Sequence, residues 1–311
     1  MAGVRGGLVL KNQWYAVCRV ASVGRRPLGL TRFGRRLVLW RNGEVIACAP
    51  DACPHRGAAL SRGRVQQGQL ECPYHGLRFA TDGQCTRIPC HPDARRERFA
   101  LAQLPVRQAR GLVWVWHGDD TPGELPWDDV LEAELRGDGG VFVDLEDTFD
   151  VPFQRIMENL TDYHHVPFVH RWTVPVPAEV THFSAQRDGL SVRTEGCLGG
   201  RLTASTHLRG PFTAVLSFAG TARFATVICP IDEHNTWLFA RYTQSAITVP
   251  GLRWLATRLL GAFDYRLLQR LQDAPVWRSQ QLADPSDIRA YHLLPADKGV
   301  ALYFALLREL S

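Results

Sequence analysis

Two pairs of cysteine and histidine stand close together in the first third of the chain. Cys53 and His55 are two apart in C-P-H-R-G, and Cys72 and His75 are three apart in C-P-Y-H-G, with residues 56 to 71 between the pairs. Two thiolates and two imidazoles are thereby offered on two turns, each closed by a glycine that can take up a left-handed backbone. Four such ligands could close a tetrahedral zinc site. The unequal spacing suits better two loops gripping opposite ends of something larger than one ion. A 2Fe-2S cluster with thiolates on one iron and imidazoles on the other fits that description, and such ligation raises the reduction potential to about −150 to +300 mV, from about −400 mV with cysteine alone. The site would then carry single electrons. Pro54 and Pro73, directly after the cysteines, stiffen each turn and remove an amide hydrogen that would need a partner.

A second constellation lies in I-M-E-N-L-T-D-Y-H-H-V-P-F-V-H, residues 156–170. Read as one helix, this stretch puts Asp162 and His165 on a shared face, three residues apart. His165 and His170 are five apart, about 140° out of phase on an ideal helix. Pro167 supplies a break that lets His170 swing back toward His165. Two imidazoles on one side of an iron, completed by one carboxylate from elsewhere, make the facial triad that leaves positions open for dioxygen. That carboxylate must come from further along the chain.

The first set resembles the cluster-binding motif of Rieske domains, C-x-H and then C-x2-H, at all four ligand positions: Cys53, His55, Cys72 and His75. The surrounding N-Q-W-Y-A-V, R-N-G-E-V and F-A-T-D-G-Q-C segments are similar to the Rieske domain of ring-hydroxylating and demethylating oxygenases. The second set resembles the mononuclear iron motif of the same family, E-N-x-x-D-x-x-H-x-x-x-x-H, at Glu158, Asn159, Asp162, His165 and His170. The resemblance implies an iron held by His165, His170 and Asp273, the last within a Q-D-x-P-V-W pattern, with Asp264 as the rival carboxylate. It implies that Asn159 lies near the iron, and it leaves His164 out of the ligand set. It also implies a homotrimer in which Asp162 bridges His165 of its own chain and cluster His75 of a neighbouring subunit, carrying electrons across the interface. A 2Fe-2S cluster and Fe(2+) are the expected cofactors. The implied function is that of a terminal oxygenase component, using dioxygen to hydroxylate or oxidatively demethylate a hydrophobic, cyclic or aromatic small molecule. Within the class the alternative is a ring cis-dihydroxylating dioxygenase, which usually has a partner subunit and a longer chain. Outside it, the alternative is a Rieske electron carrier with a non-catalytic binding domain.

The rest of the chain must position these residues. At 311 residues it is long enough for about two domains. Short runs of strand formers (W-Y-A-V, R-L-V-L-W, E-V-I-A-C, G-L-V-W-V-W) fill residues 1–118 and imply a small antiparallel β domain holding the cluster. Residues 119–140, rich in Asp, Gly, Pro and Glu, read as a linker. Residues 141–311 follow as the catalytic domain, with five alternating segments after Thr181 for an extended antiparallel sheet, then an amphipathic helix from Leu252 to Leu271. The fold class is α+β. Phe218, Phe239 and Trp254 are the candidate substrate-pocket aromatics, and Asp284 and Asp287 read as turn residues beside Pro285.

Composition narrows the partners. Lysine occurs only at Lys11 and Lys298, arginine supplies the rest of the 36 basic residues, and the formal charge is +5. No basic run is interleaved with aromatics, so nucleic acid is not expected. The most apolar helix is interrupted by Arg253, Arg258, Asp264, Arg266 and Arg270, which argues against a membrane span. Eight cysteines without a signal-peptide pattern suggest a reducing, cytoplasmic setting, with Cys85 and Cys90 near the cluster as candidate shields. No G-x-G-x-x-G follows a strand, so a separate NAD(P)H-dependent reductase, with or without a ferredoxin, is the expected electron source. Arg56 and Arg62 are candidates for its docking face.

Overall fold

The computed structural model describes residues 9–126, 128–136, 141–280, 289 and 291–311. Asp284 and Asp287, read as turn residues, lie outside them. The chain falls into two compact units, Leu10–Gly123 and Glu124–Ser311.

The first unit is built from three small antiparallel sheets. Gln13–Arg19 pairs with Leu112–His117, which pairs with Val106–Ala109; Leu28–Arg32, Arg35–Asn42 and Val45–Pro50 form the second sheet. The third sheet runs Arg64–Gln66, Gln69–Glu71, Arg78–Phe79, Cys85–Arg87. Its strands are only two or three residues long, too short to be stable without a shared core. Trp40, Leu60, Leu70, Leu77 and Phe79 supply that core, and Cys53 and Cys72 are embedded in it. Cys85 belongs to the same core, whereas Cys90 is exposed.

The second unit is one seven-stranded antiparallel sheet. Its spatial order is Phe142–Phe149, Thr236–Gln244, Ala222–Pro230, Thr213–Phe218, Leu202–Arg209, Ser191–Leu198, Val180–Asp188. The expectation is met: a small antiparallel β unit first, then an extended antiparallel sheet with helices, α+β over the chain as a whole. Because side chains alternate across a strand, Phe224 and Thr226 share a face with Leu238, Ala240 and Tyr242 of the neighbouring strand. Phe239 and Arg241 point to the other face, where Arg241 Nη1 reaches the Leu135 carbonyl.

Leu135 belongs to a helix, Asp129–Arg136, inside the stretch read as a linker. The acidic composition hid a short amphipathic pattern: Leu131 and Leu135, four apart, are both fully buried. Asp128 closes the helix start, accepting from the Leu131 amide at 2.9 Å.

Two helical expectations change. Residues 156–170 are not one helix broken at Pro167. The helix Phe153–Thr161 ends before Asp162, which takes an extended backbone (φ −105°, ψ 120°), and a single turn, Val166–Val169, begins after His165. Proline is tolerated in the first turn of a helix, where its missing amide costs nothing, so Pro167 starts the second turn instead of breaking the first. The helix from Leu252 also runs further, as Pro250–Ala262, Phe263–Asp273 and Ala274–Ser279 without interruption, and its middle segment is π-helical. A π segment of this length is uncommon and such segments gather at functional sites.

Candidate redox and active sites

The two cluster turns are built alike. In the first, the Gly57 amide donates to the Cys53 carbonyl and the Cys53 amide to the Ala58 carbonyl, both at 2.8 Å. In the second, Gly76 donates to Cys72 at 3.1 Å and Cys72 to Leu77 at 2.8 Å. Both glycines have positive φ, 73° and 69°, which a side chain would strain. The turns bring the His55 and His75 rings to 4.7 Å between centroids. Cys53 and Cys72 are each 3% exposed, while His55 is exposed and His75 half-buried. Burial, with Cys72 alongside, pushes the Cys53 thiol up to about 11. A thiol that resists ionisation, with a second buried beside it at the base of two matched loops, fits a cationic metal centre, which deprotonates a ligating thiol outright. The order of burial also has a consequence: the imidazole end of the site faces outward, where an electron can be exchanged.

In the second unit His165, His170 and Asp273 present ligand atoms that all lie within 4.8 Å of one another. Asp273 Oδ1 stands 3.2 Å from His170 Nε2 and 3.7 Å from His165 Nε2. Ligands about 2.1 Å from one metal at right angles lie about 3 Å apart, so the trio needs little adjustment to close on an ion. Asp273 is buried and its Oδ1 has no hydrogen-bond partner, a costly state unless a cation completes it.

Both rings turn Nε2 to the centre, and their other nitrogens face Gln272 behind His170 and Asp162 behind His165. His170 Nδ1 lies 2.7 Å from Gln272 Oε1, which also accepts from Thr173 Oγ1 at 2.9 Å. An amide oxygen can only accept, so the ring proton is placed on Nδ1 and the lone pair on Nε2. His165 Nδ1 lies 3.4 Å from Asp162 Oδ2, an ion-pair distance without hydrogen-bond alignment. Asp162 Oδ1 accepts from the His164 amide at 2.7 Å. Burial alone would raise the Asp162 carboxyl, but His165 and the His164 amide outweigh it and hold it below its ordinary value. For His170, burial alone would lower the ring, and Asp273 with Gln272 reverses that, raising it.

Asp162 and His165 therefore meet across a turn and not along a helix. Tyr163, between them, anchors that turn: its hydroxyl lies 2.9 Å from Thr206 Oγ1, which donates on to the Leu160 carbonyl at 2.7 Å. Neither Tyr163 nor Gln272 was singled out from the sequence. For Gln272 the signal was its place directly before Asp273 in the Q-D-x-P pattern. Asn159 Nδ2 lies 3.3 Å from His165 Nε2, beside the centre. His164 packs edge-on against Phe183 and is not in the trio. Glu158, at the head of the motif, is buried against Arg155 at 2.8 Å and Tyr291 at 3.2 Å, a bracing role for the helix below the site.

Asp264, the rival carboxylate, is not an exposed charge on an arginine-rich helix. It is 8% exposed, and its Oδ2 accepts from Tyr242 at 2.7 Å and from Gln269 Nε2 at 2.6 Å. Burial pushes its pKa up to about 6. On an α-helix, residues nine apart point about 180° away from each other. The π-helical winding turns Asp264, Gln269 and Asp273 toward one cavity instead.

That cavity, of about 220 Å³, reaches the trio and is mostly apolar, with Leu216, Phe218, Phe224, Leu238, Phe263 and Trp277 on its walls. Of the three aromatics expected there, Phe218 is present. Phe239 is not, because it sits on the opposite face of the sheet. Trp254 is not, being 48% exposed on the outer side of the helix, with Arg258 stacked on it.

Residues 13–105 match the model of the Rieske [2Fe-2S] domain. Over 186 residues the chain is 35% identical to Protein TIC 55, chloroplastic, of Arabidopsis thaliana, a match covering 57% of this chain and 32% of that protein. Over 167 residues it is 34% identical to the oxygenase component of dicamba O-demethylase from Stenotrophomonas maltophilia, covering 52% of this chain and 48% of that one. The matches thus span a third to about half of these relatives. In structure the chain is similar to dicamba monooxygenase bound to dicamba, with a TM-score of 0.81 over 97% of both chains at 22% identity, which speaks for the fold. The chain thus carries a Rieske [2Fe-2S] domain over residues 13–105, and its fold is that of dicamba monooxygenase, with a carboxylate–dihistidine trio in the second unit.

Proposed function

We propose that this chain is the terminal component of a mono-oxygenase system acting on a small, largely apolar organic molecule. One observation carries the reading: a trio of His165, His170 and Asp273, with an unsatisfied carboxylate oxygen at its centre, opens onto an apolar cavity in a chain that also has a Rieske domain. Residues 10–123 then serve electron storage, with Cys53, Cys72, His55 and His75 as cluster ligands, and the remainder serves the oxidation. When bound, the two metal centres supply one-electron storage and dioxygen activation. The residues of the chain do the rest. His165, His170 and Asp273 would hold the iron. Gln272 and Thr173 fix the His170 tautomer, and Asp162 orients His165. The apolar walls keep water from the reacting molecule and strengthen the electrostatics inside.

Electrons come from a separate NAD(P)H-dependent reductase, with or without a ferredoxin. In a homotrimer, Asp162 would also accept the free N–H of a neighbouring subunit's cluster histidine, His75, and join the two centres. The cytoplasmic setting belongs to the same proposal. Among the described residues no helix is long and apolar enough to cross a membrane, and one relative named above is a chloroplast protein.

The test is metal content. Anaerobically reconstituted protein should hold three irons per chain, and His165→Ala should keep two of them together with the Rieske electron-paramagnetic signal. Two irons in the unaltered protein would leave an electron carrier with a binding module and remove the oxygenase reading.

A further inference from the structure

The cavity beside the iron trio carries information about what fills it. Its walls are apolar except at a few atoms, and outside the iron trio three of those have nothing to bond to: Thr226 Oγ1, Gln269 Oε1 and the Trp277 Nε1 donor, which an acceptor on the same ligand could meet. Thr226 is 1% exposed and Gln269 8% exposed, both line the cavity, and neither Thr226 Oγ1 nor Gln269 Oε1 has a hydrogen-bond partner. Buried polar atoms left in this state call for an explanation, and a ligand is one.

The orientation of Gln269 is decided by its neighbours. Its nitrogen donates to Asp264 Oδ2 at 2.6 Å and approaches the Tyr242 hydroxyl at 3.4 Å. Flipping the amide would set two acceptors against each other, so the free group is the carbonyl oxygen, which can only accept. Thr226 is flanked across both neighbouring strands by alanines, Ala214 and Ala240, so no large side chain covers its hydroxyl. Phe224, the residue opposite Tyr242, is two residues from Thr226 on the same face. Diagonal neighbours of this kind lie about 7–8 Å apart in backbone. Gln269, seated on the Tyr242 hydroxyl, and Thr226, a diagonal neighbour of Tyr242, line the same cavity.

Charge narrows the ligand further. No arginine or lysine is among the described lining residues, while Asp162, Asp264 and Asp273 are. Away from the iron that the trio would hold, a carboxylate-bearing molecule would lose its hydration without a cation to replace it. Asp264 Oδ2 already accepts from Tyr242 and Gln269. Resting on the reading of this cavity as the substrate site, we propose that its ligand is an uncharged, mainly apolar ring compound carrying one N–H or O–H, which donates to Gln269 Oε1 beside the Thr226 hydroxyl. Gln269 and Thr226 are then specificity residues, distant in role from the iron ligands.

The test reads binding without turnover, by calorimetry on the anaerobic holoenzyme. The probes are indole, 1-methylindole and indole-4-carboxylate: the same ring with a donor, with the donor capped, and with an anionic group. Indole should bind on the order of tenfold more tightly than 1-methylindole, because capping leaves a buried acceptor unpaired, and the carboxylate should bind least. Gln269→Leu should erase the preference for indole. Thr226→Val, which keeps the shape and removes only the hydroxyl, should reduce it, and covers the case in which Gln269→Leu fails to fold. Equal affinity of the first two probes would mean that solvent serves both atoms and would overturn the proposal. So would tightest binding by the carboxylate, no binding by indole, or an undiminished preference in folded Gln269→Leu. Iron content measured on the same sample separates this result from the oxygenase reading, which fails only if the third iron is missing.

Discussion

Gln272→Leu is the perturbation that best isolates how the iron site is held. The side chain touches no ligand atom of the trio's centre; it accepts from His170 Nδ1 at 2.7 Å and from Thr173 at 2.9 Å. Leucine fills similar space and removes the acceptor. His170 is 4% exposed, so water cannot easily replace the lost partner, and a buried N–H left unpaired costs about 1–3 kcal/mol. Loss of such an outer partner typically weakens metal binding by about 10–100-fold, or about 1.4–2.8 kcal/mol; the burial of His170 favours the upper half of that range. The measurement is an anaerobic competition between protein and a chelator of known iron affinity, with the visible absorption of the cluster as internal reference. Cluster loading should not move, because its four ligands all lie within Leu10–Gly123. Unchanged iron affinity, or an equal fall in cluster content, would refute the assignment of Gln272 as the group that orients His170.

Two further outcomes follow from the same geometry. Asp162→Asn should leave both metals bound, since Asp162 is in neither ligand set, yet slow reoxidation of the reduced cluster severely; stopped-flow traces matching the unaltered protein at full iron content would end the bridging role. Iron binding should weaken as pH falls. The His170 pKa is raised in the iron-free fold, so between about 6.5, the ordinary value, and that raised value the folded site still holds a proton that the unfolded chain has released. Its contribution to iron-free stability is fully present below about 6.5 and is lost as pH rises through the raised value. Iron must displace the same proton, so its affinity should rise with pH across that window and then level off; chelator competition at several pH values measures this, and a flat profile would contradict it.

What could be read from the residues alone was the chemistry of the ligands. As candidate ligands, Cys53, His55, Cys72, His75, His165 and His170 are legible because metal bonds would demand particular atoms, and the motifs hold those atoms at short range. The strands are legible too, because alternation along a strand is a local property. Whatever depended on which way a face turns was not. Phe239 has the composition of a pocket residue, but its place in the register sends it to the far side of the sheet. Trp254 lies on a helix that borders the cavity and faces away from it. Asp162 and His165, three apart, looked like neighbours on a helix; they meet because the chain leaves the helix at Thr161 and Tyr163 pins the turn.

The carboxylate shows the division most plainly. By residue type alone, Asp264 and Asp273 were competing ligands on one helix, and α-helical geometry would have sent them to opposite sides. The residue types determined that an acid on this helix could complete the trio. Only the tertiary structure decided the roles: eleven residues wound in π-helical turns over the sheet bring both acids to the same cavity, one beside His170 with an oxygen unpaired and the other held by Tyr242 and Gln269. The winding of a helix depends on what it packs against, and that information is spread over strands far away in the chain.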